Sequence, residues 1–155
     1  MRRPIVGFHL DDEDHWVADL SCGHAQHVRH DPPARMRPWV LTEEGRSGRL
    51  GGALDCRLCE TVVWPDGLEP YKRTPTFSAE SVPAGLLANH QTKAGVWARI
   101  HVEQGRLEYV REEPEAATEI LDPGGFGTVL PEARHRVRPL GPVSFHVEFW
   151  RRPRK

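Results

Sequence analysis

Cysteine is scarce in this chain: three in 155 residues, an odd number that closes no disulfide framework. No apolar run approaches the ~20 residues needed to cross a bilayer as a helix, so no membrane partner is expected. The amino end, Met1-Arg2-Arg3-Pro4-Ile5-Val6-Gly7, has two charges and then only a few apolar residues before Asp11-Asp12-Glu13-Asp14. The apolar core of a secretory signal is therefore missing, and a reducing, cytoplasmic setting is expected. Charge of one sign is lacking too. A formal net charge of -1 argues against a polyanion-binding surface spread over the molecule, and nucleic acid is not an expected partner. The basic end Trp150-Arg151-Arg152-Pro153-Arg154-Lys155 reads as a solvated terminus.

What the chain does have is 14 prolines and 14 glycines spread along its length, which work against long helices. Strand-like alternation marks residues 15–20, 96–102 and 143–150, and shorter strands are expected at 106–110, 117–121, 127–130 and 135–137. Turns are expected between them at Glu103-Gln104-Gly105, Glu112-Glu113-Pro114, Asp122-Pro123-Gly124-Gly125 and Leu140-Gly141-Pro142. The spacing predicts a mainly β chain whose second part closes into a small sandwich or barrel. Periodicity lapses over residues 64–75, which divides the chain into domains at 1–63 and 71–152.

All three cysteines fall in the first domain, as Cys22-Gly23-His24 and Cys56-Arg57-Leu58-Cys59. A CxH turn and a CxxC turn each aim two soft or borderline donors at one cation, and together they close a tetrahedral Cys3His set suited to structural zinc. Zinc bound by Cys22, His24, Cys56 and Cys59 is the expected cofactor, making the domain small and zinc-ribbon-like. His27 and His30 also lie near enough in sequence to replace His24, which has the best local case because it shares the Gly23 turn. A Rieske-type iron-sulfur centre also uses a CxH loop, but its second loop needs a histidine where Cys59 stands. The domain is too small and too charged to hold a core alone, so the metal is expected to staple it.

Ile5-Val6-Gly7-Phe8, His15-Trp16-Val17-Ala18, Cys22 to His30, Arg37-Pro38-Trp39-Val40 and Cys56-Arg57-Leu58-Cys59 resemble a small bacterial family of unknown function. The second domain resembles the cupin-like module of TehB-type tellurite-resistance proteins. The likeness runs through Thr74-Pro75-Thr76-Phe77, Val82-Pro83-Ala84-Gly85, His90 to Trp97 and Pro131-Glu132-Ala133-Arg134-His135. That likeness implies a cupin-like double-stranded β-helix and an association with tellurite or metalloid tolerance. It does not imply methyl transfer, because the methyltransferase domain of the longer relatives is absent from this sequence.

In metal-bearing cupins, two histidines and a glutamate come from one hairpin region and a third histidine from a later strand. Here His90 stands where the first pair is expected, Trp97 lies near the glutamate position, and His135 resembles the later histidine. Alternation in the last strand offers Ser144, His146 and Glu148 on one face. The barrel site is therefore expected from His90 and His135 with His146 or Glu148, as a second metal site or a metal-free ligand pocket.

Three functional classes follow. The leading one is a non-catalytic binding protein that takes a metal and a small anion or metalloid ligand, with Arg99 and Lys93 as countercharges. The others are a metal-dependent cupin oxidoreductase and a regulatory zinc domain whose Arg29, Arg35 and Arg37, beside Trp39, face an acidic partner. The resemblance also implies homodimers formed through strand edges.

Overall fold

The computed structural model describes residues 1–28 and 37–153, so the readings made on Arg29, His30, Arg35, Arg154 and Lys155 lie outside the described residues. The chain divides into two compact units, Met1–Asp66 and Gly67–Lys155. It is mainly β, and no helix among the described residues is long and apolar enough to cross a membrane.

In the first unit, β1 (Arg2–Leu10), β2 (Trp16–Leu20), β3 (Ala25–His27) and β4 (Ala53–Asp55) form an antiparallel sheet in the order β3-β2-β1-β4. The β1–β2 turn closes locally, because the Asp11 carboxylate accepts from the backbone N–H groups of Glu13 and His15. Helix α1 (Glu43–Ser47) starts at Thr42, whose hydroxyl accepts from the Gly45 N–H. Arg46 then lies over the Trp16 ring at 3.8 Å, tying the helix to the sheet. The apolar core is thin. Ile5, Val17, Leu20, Val28 and Val40 are buried, and the three cysteines are buried with them. Cys56 opens the one-turn helix α2 (Arg57–Glu60).

The second unit contains β5 (Glu69–Arg73), β6 (Phe77–Ser78), helix α3 (Ala84–Leu87), β7 (Trp97–Arg111), β8 (Ala117–Leu121), β9 (Phe126–Val129) and β10 (His135–Arg151). They make one curled antiparallel sheet in the order β5-β10-β7-β8, with β6 on β10 and β9 on β7. Strands β7 and β10 are far longer than the alternation predicts. Glu103-Gln104-Gly105 and Leu140-Gly141-Pro142, expected as turns, lie inside these strands instead.

The physical reason is that the two breaks face each other. The register shifts between Pro139 and Val143, and Val143 pairs with Gly105, which has φ +77°. A Cβ at Gly105 would lie 2.0 Å from the Pro142 carbonyl oxygen, so the two chains approach too closely there for any other residue. Two opposed kinks bend both strands of the hairpin together and curl the sheet without ending it. On the inner face Ile100, Leu107, Tyr109, Val137, Phe145 and Val147 build the core, and the Tyr109 hydroxyl donates to the Thr128 carbonyl at 2.7 Å.

Candidate metal centre and ligand cavity

The CxH turn follows β2 directly. Gly23 takes φ +93°, its N–H donates to Leu20 O, and the Leu20 N–H donates to His24 O, which folds Cys22 and His24 onto one side. The second turn arrives through β4, where the Cys56 N–H donates to Met1 O. Cys22, His24, Cys56 and Cys59 are all buried, and their donor atoms lie within 4.8 Å of one another. His24 Nδ1 sits 3.4 Å from Cys22 Sγ, 3.3 Å from Cys56 Sγ and 3.6 Å from Cys59 Sγ.

The other ring nitrogen decides what Nδ1 can do. Nε2–H donates to the Val63 carbonyl at 2.7 Å, so Nδ1 is the nitrogen presented to the three sulfurs. A metal-ligating histidine is commonly oriented in this way, by a backbone acceptor on its far side. Burial pulls the His24 imidazole down, but hydrogen bonds with Cys56 and Cys59 outweigh it and raise the pKa to about 9. Hydrogen bonds from Cys22 and Cys59 hold the Cys56 thiol far below its ordinary value, while those with Cys56 and Cys59 push the Cys22 thiol up. The cluster is thus a set of four donors that shares protons internally, and a metal ion would take the place of those protons.

Arg3 is the residue that motif reading missed. It is 3% exposed, and its Nε–H donates to Cys59 Sγ at 3.4 Å. A guanidinium there offsets negative charge on the sulfurs. His27, the alternative ligand, instead turns to the surface and pairs with Asp11 at 3.1 Å. His9 and His15 likewise meet surface carboxylates, Asp19 and Glu13.

The second unit holds a partly open cavity of about 300 Å³. Its walls are apolar, with Phe77, Leu86, Ile100, Phe145, Val147 and Phe149 prominent among them, and its polar lining comes from Thr74, Thr92, His90 and His135. His90 and His135 exchange backbone hydrogen bonds at 2.9 Å, which sets their rings edge to face with centroids 5.3 Å apart. His135 is 3% exposed, its Nδ1–H donates to the Ala133 carbonyl at 3.2 Å, and burial pushes its pKa down. His90 Nδ1 is buried and has no hydrogen-bond partner.

The structure brings together His90 and His135 and sends the other two barrel candidates elsewhere. Along β10 the inward positions are Val143, Phe145, Val147 and Phe149, so period-2 alternation puts His146 and Glu148 on the opposite face. There His146 Nδ1 pairs with Glu103 at 2.9 Å, and Glu148 accepts from Trp150 Nε1 at 2.7 Å and meets His101 at 3.4 Å. Arg99 is between the cavity-lining Ala98 and Ile100 and so faces away as well, stacked over Phe126 and Trp150. Lys93 is exposed and does not line the cavity. Among the described residues no third thiolate, imidazole or carboxylate joins His90 and His135.

Comparison with known proteins follows the same division. Residues 6–63 match the family model of a protein of unknown function, DUF3565, and residues 72–147 match that of the TehB-like domain. No curated protein matches the chain. Among solved structures, a protein from E. coli (strain K12) is similar with a TM-score of 0.54 at 23% identity, over 59% of this chain and 97% of that one. At that identity the likeness speaks for the fold alone. TehB from Haemophilus influenzae is similar with a TM-score of 0.51 at 27% identity, over 56% of this chain and 32% of that one. This chain therefore spans about a third of the length of that protein.

Proposed function

From a DUF3565 region followed by a TehB-like domain, we propose a non-catalytic binding protein in which a structural zinc ion holds the first unit and the second unit offers a small-ligand cavity. The observation that carries the metal assignment is the His24 ring, held by Val63 so that Nδ1 meets three buried sulfurs. Three thiolates and one imidazole complete a tetrahedron with no position left for substrate, which favours a structural role and zinc over a catalytic metal. The donor set is also soft enough to disfavour magnesium, calcium and manganese.

The second unit supports binding more than chemistry. A metal-dependent oxidoreductase needs a third donor beside His90 and His135, and the inward positions of β10 carry Phe145, Val147 and Phe149. Anionic metalloid ligands are disfavoured too, since neither Arg99 nor Lys93 lines the cavity. The association with tellurite tolerance rests on the TehB-like match and is tested by growth on tellurite with and without this protein. Elemental analysis of the purified full chain tests the metal: one zinc per chain is expected, with Cys22→Ser and Cys59→Ser losing it. Iron with sulfide, or a second equivalent of metal that survives both substitutions, would overturn the assignment.

A further inference from the structure

The polar chemistry of the cavity rests on two imidazoles. Thr92 Oγ1 donates to Val96 O at 2.8 Å and Thr74 Oγ1 donates to Pro75 O at 2.9 Å, so both hydroxyl protons are already committed. His135 commits its Nδ1–H to Ala133, which leaves Nε2 with a lone pair and no protein donor to fill it. His90 Nδ1 is buried without a partner, on the ring that meets His135 edge to face, and that ring adds one N–H and one lone pair in either tautomer. Every other wall is hydrocarbon or aromatic.

Resting on the reading of the second unit as a ligand-binding module, we propose that this cavity binds a small, uncharged, mainly apolar molecule bearing one hydroxyl, a phenol above all, whose O–H donates to His135 Nε2. Size fits this class. An apolar cavity of about 150 Å³ is enough to hold benzene, and the roughly 300 Å³ here accommodates a ring with a substituent. Phe77, Phe145 and Phe149 offer ring edges and faces to an aromatic guest.

Charge selects in the same direction. A carboxylate or oxyanion has only acceptors to present: it can take the one N–H of His90, but it leaves the His135 lone pair unpaired and its charge in an apolar cavity with no cation on the lining, whereas a hydroxyl both donates and accepts. Protonating His135 to receive it is opposed by burial. A hydrocarbon of the same shape fills the walls but leaves Nε2 unpaired, the situation in which polar sites discriminate strongly against an analogue lacking the hydroxyl.

The test is calorimetric titration of the full, zinc-loaded chain at pH 7.5 with 4-methylphenol, toluene and 4-methylbenzoate. 4-Methylphenol is expected to bind at least tenfold more tightly than toluene, with no binding by 4-methylbenzoate. In His135→Phe that preference should collapse while toluene binding persists. Imidazole ¹⁵N NMR of the unsubstituted chain gives a second readout that does not depend on the variant folding. The unprotonated His135 nitrogen should shift toward its protonated position with 4-methylphenol and stay unmoved with toluene. Tighter binding of the benzoate, equal affinity for toluene and the phenol, or an unmoved His135 resonance would overturn the ligand class while leaving a ligand-binding module. Failure of all three probes to bind, or uptake of a divalent metal lost in His135→Ala, would overturn the binding reading of this unit itself. Zinc content, measured on the same sample, reports separately on the first unit.

Discussion

Two nitrogens of one ring, committed to different partners, explain most of what each site can do. His24 spends Nε2 on Val63 and offers Nδ1 to the sulfurs, whereas His135 spends Nδ1 on Ala133 and keeps Nε2 bare. Arg3 acts on the first site through Cys59. A Cys3His zinc centre carries a net negative charge, and the buried guanidinium is placed to balance it. Arg3→Met is therefore expected to weaken zinc affinity by roughly 10–100-fold, the usual effect of losing an outer-shell partner. Competition against a chromophoric chelator measures this, with exposed Arg2→Met as a control that should bind zinc like the parent. At the second site, burial depresses the His135 pKa below its ordinary 6.5. The unfolded imidazole therefore takes up a proton near pH 6.5 while the folded one stays neutral, and unfolding binds protons. The His135 contribution to the second unit's stability should be complete above that pH and be lost as pH falls toward the depressed folded value. Denaturation of this unit followed between pH 5 and 8 should show that slope, and His135→Gln should flatten it.

Strand length is governed by what lies across the ladder as much as by what lies along the chain. Glu103-Gln104-Gly105 and Leu140-Gly141-Pro142 each look like a stop, yet paired against one another they become a bend in a continuous hairpin. Gly105 is the position where this arrangement is most exposed to substitution, because its φ is +77° and a Cβ would overlap the Pro142 carbonyl. Gly124 has a similar φ, +85°, with nothing within 4 Å. Gly124→Ala is thus expected to cost only the ~1–2 kcal/mol of a left-handed non-glycine residue. Gly105→Ala should cost about 3 kcal/mol or more, since backbone on the facing strand must also move. Urea unfolding of the two variants separates these effects, and equal losses would mean that the facing carbonyl yields without cost.

The two units differ in how much apolar core they have. The first has a thin core with three buried cysteines at its centre, while the second has a continuous inner face from Ala98 to Val147. Structural zinc in small modules contributes on the order of 10 kcal/mol of apparent binding energy, more than so few apolar side chains supply after chain entropy. Cys22→Ser or Cys59→Ser is accordingly expected to remove hydrogen-exchange protection from Met1–Asp66 while Gly67–Lys155 stays protected. Intact protection throughout would show that the first unit does not need its metal.

The metal donors could be read from the chain because their pairing is local: a CxH and a CxxC turn each bring two donors together within a few residues, whatever surrounds them. The β-rich character was legible for the same reason, through alternation and turn residues. The cavity was only half legible. His90 and His135 meet because a backbone bridge joins segments far apart in sequence, whereas the outward face of His146 and Glu148 was already written in the apolar alternation of Val143, Phe145, Val147 and Phe149. Arg3 carried one faint signal, a charged residue in phase with the buried Ile5 on β1. Its meaning needed Cys59 beside it, and that contact exists only once β1 and β4 have paired. Short-range geometry is written in residue spacing. Which distant side chains meet, and which nitrogen is left without a partner, is decided when distant strands come into register.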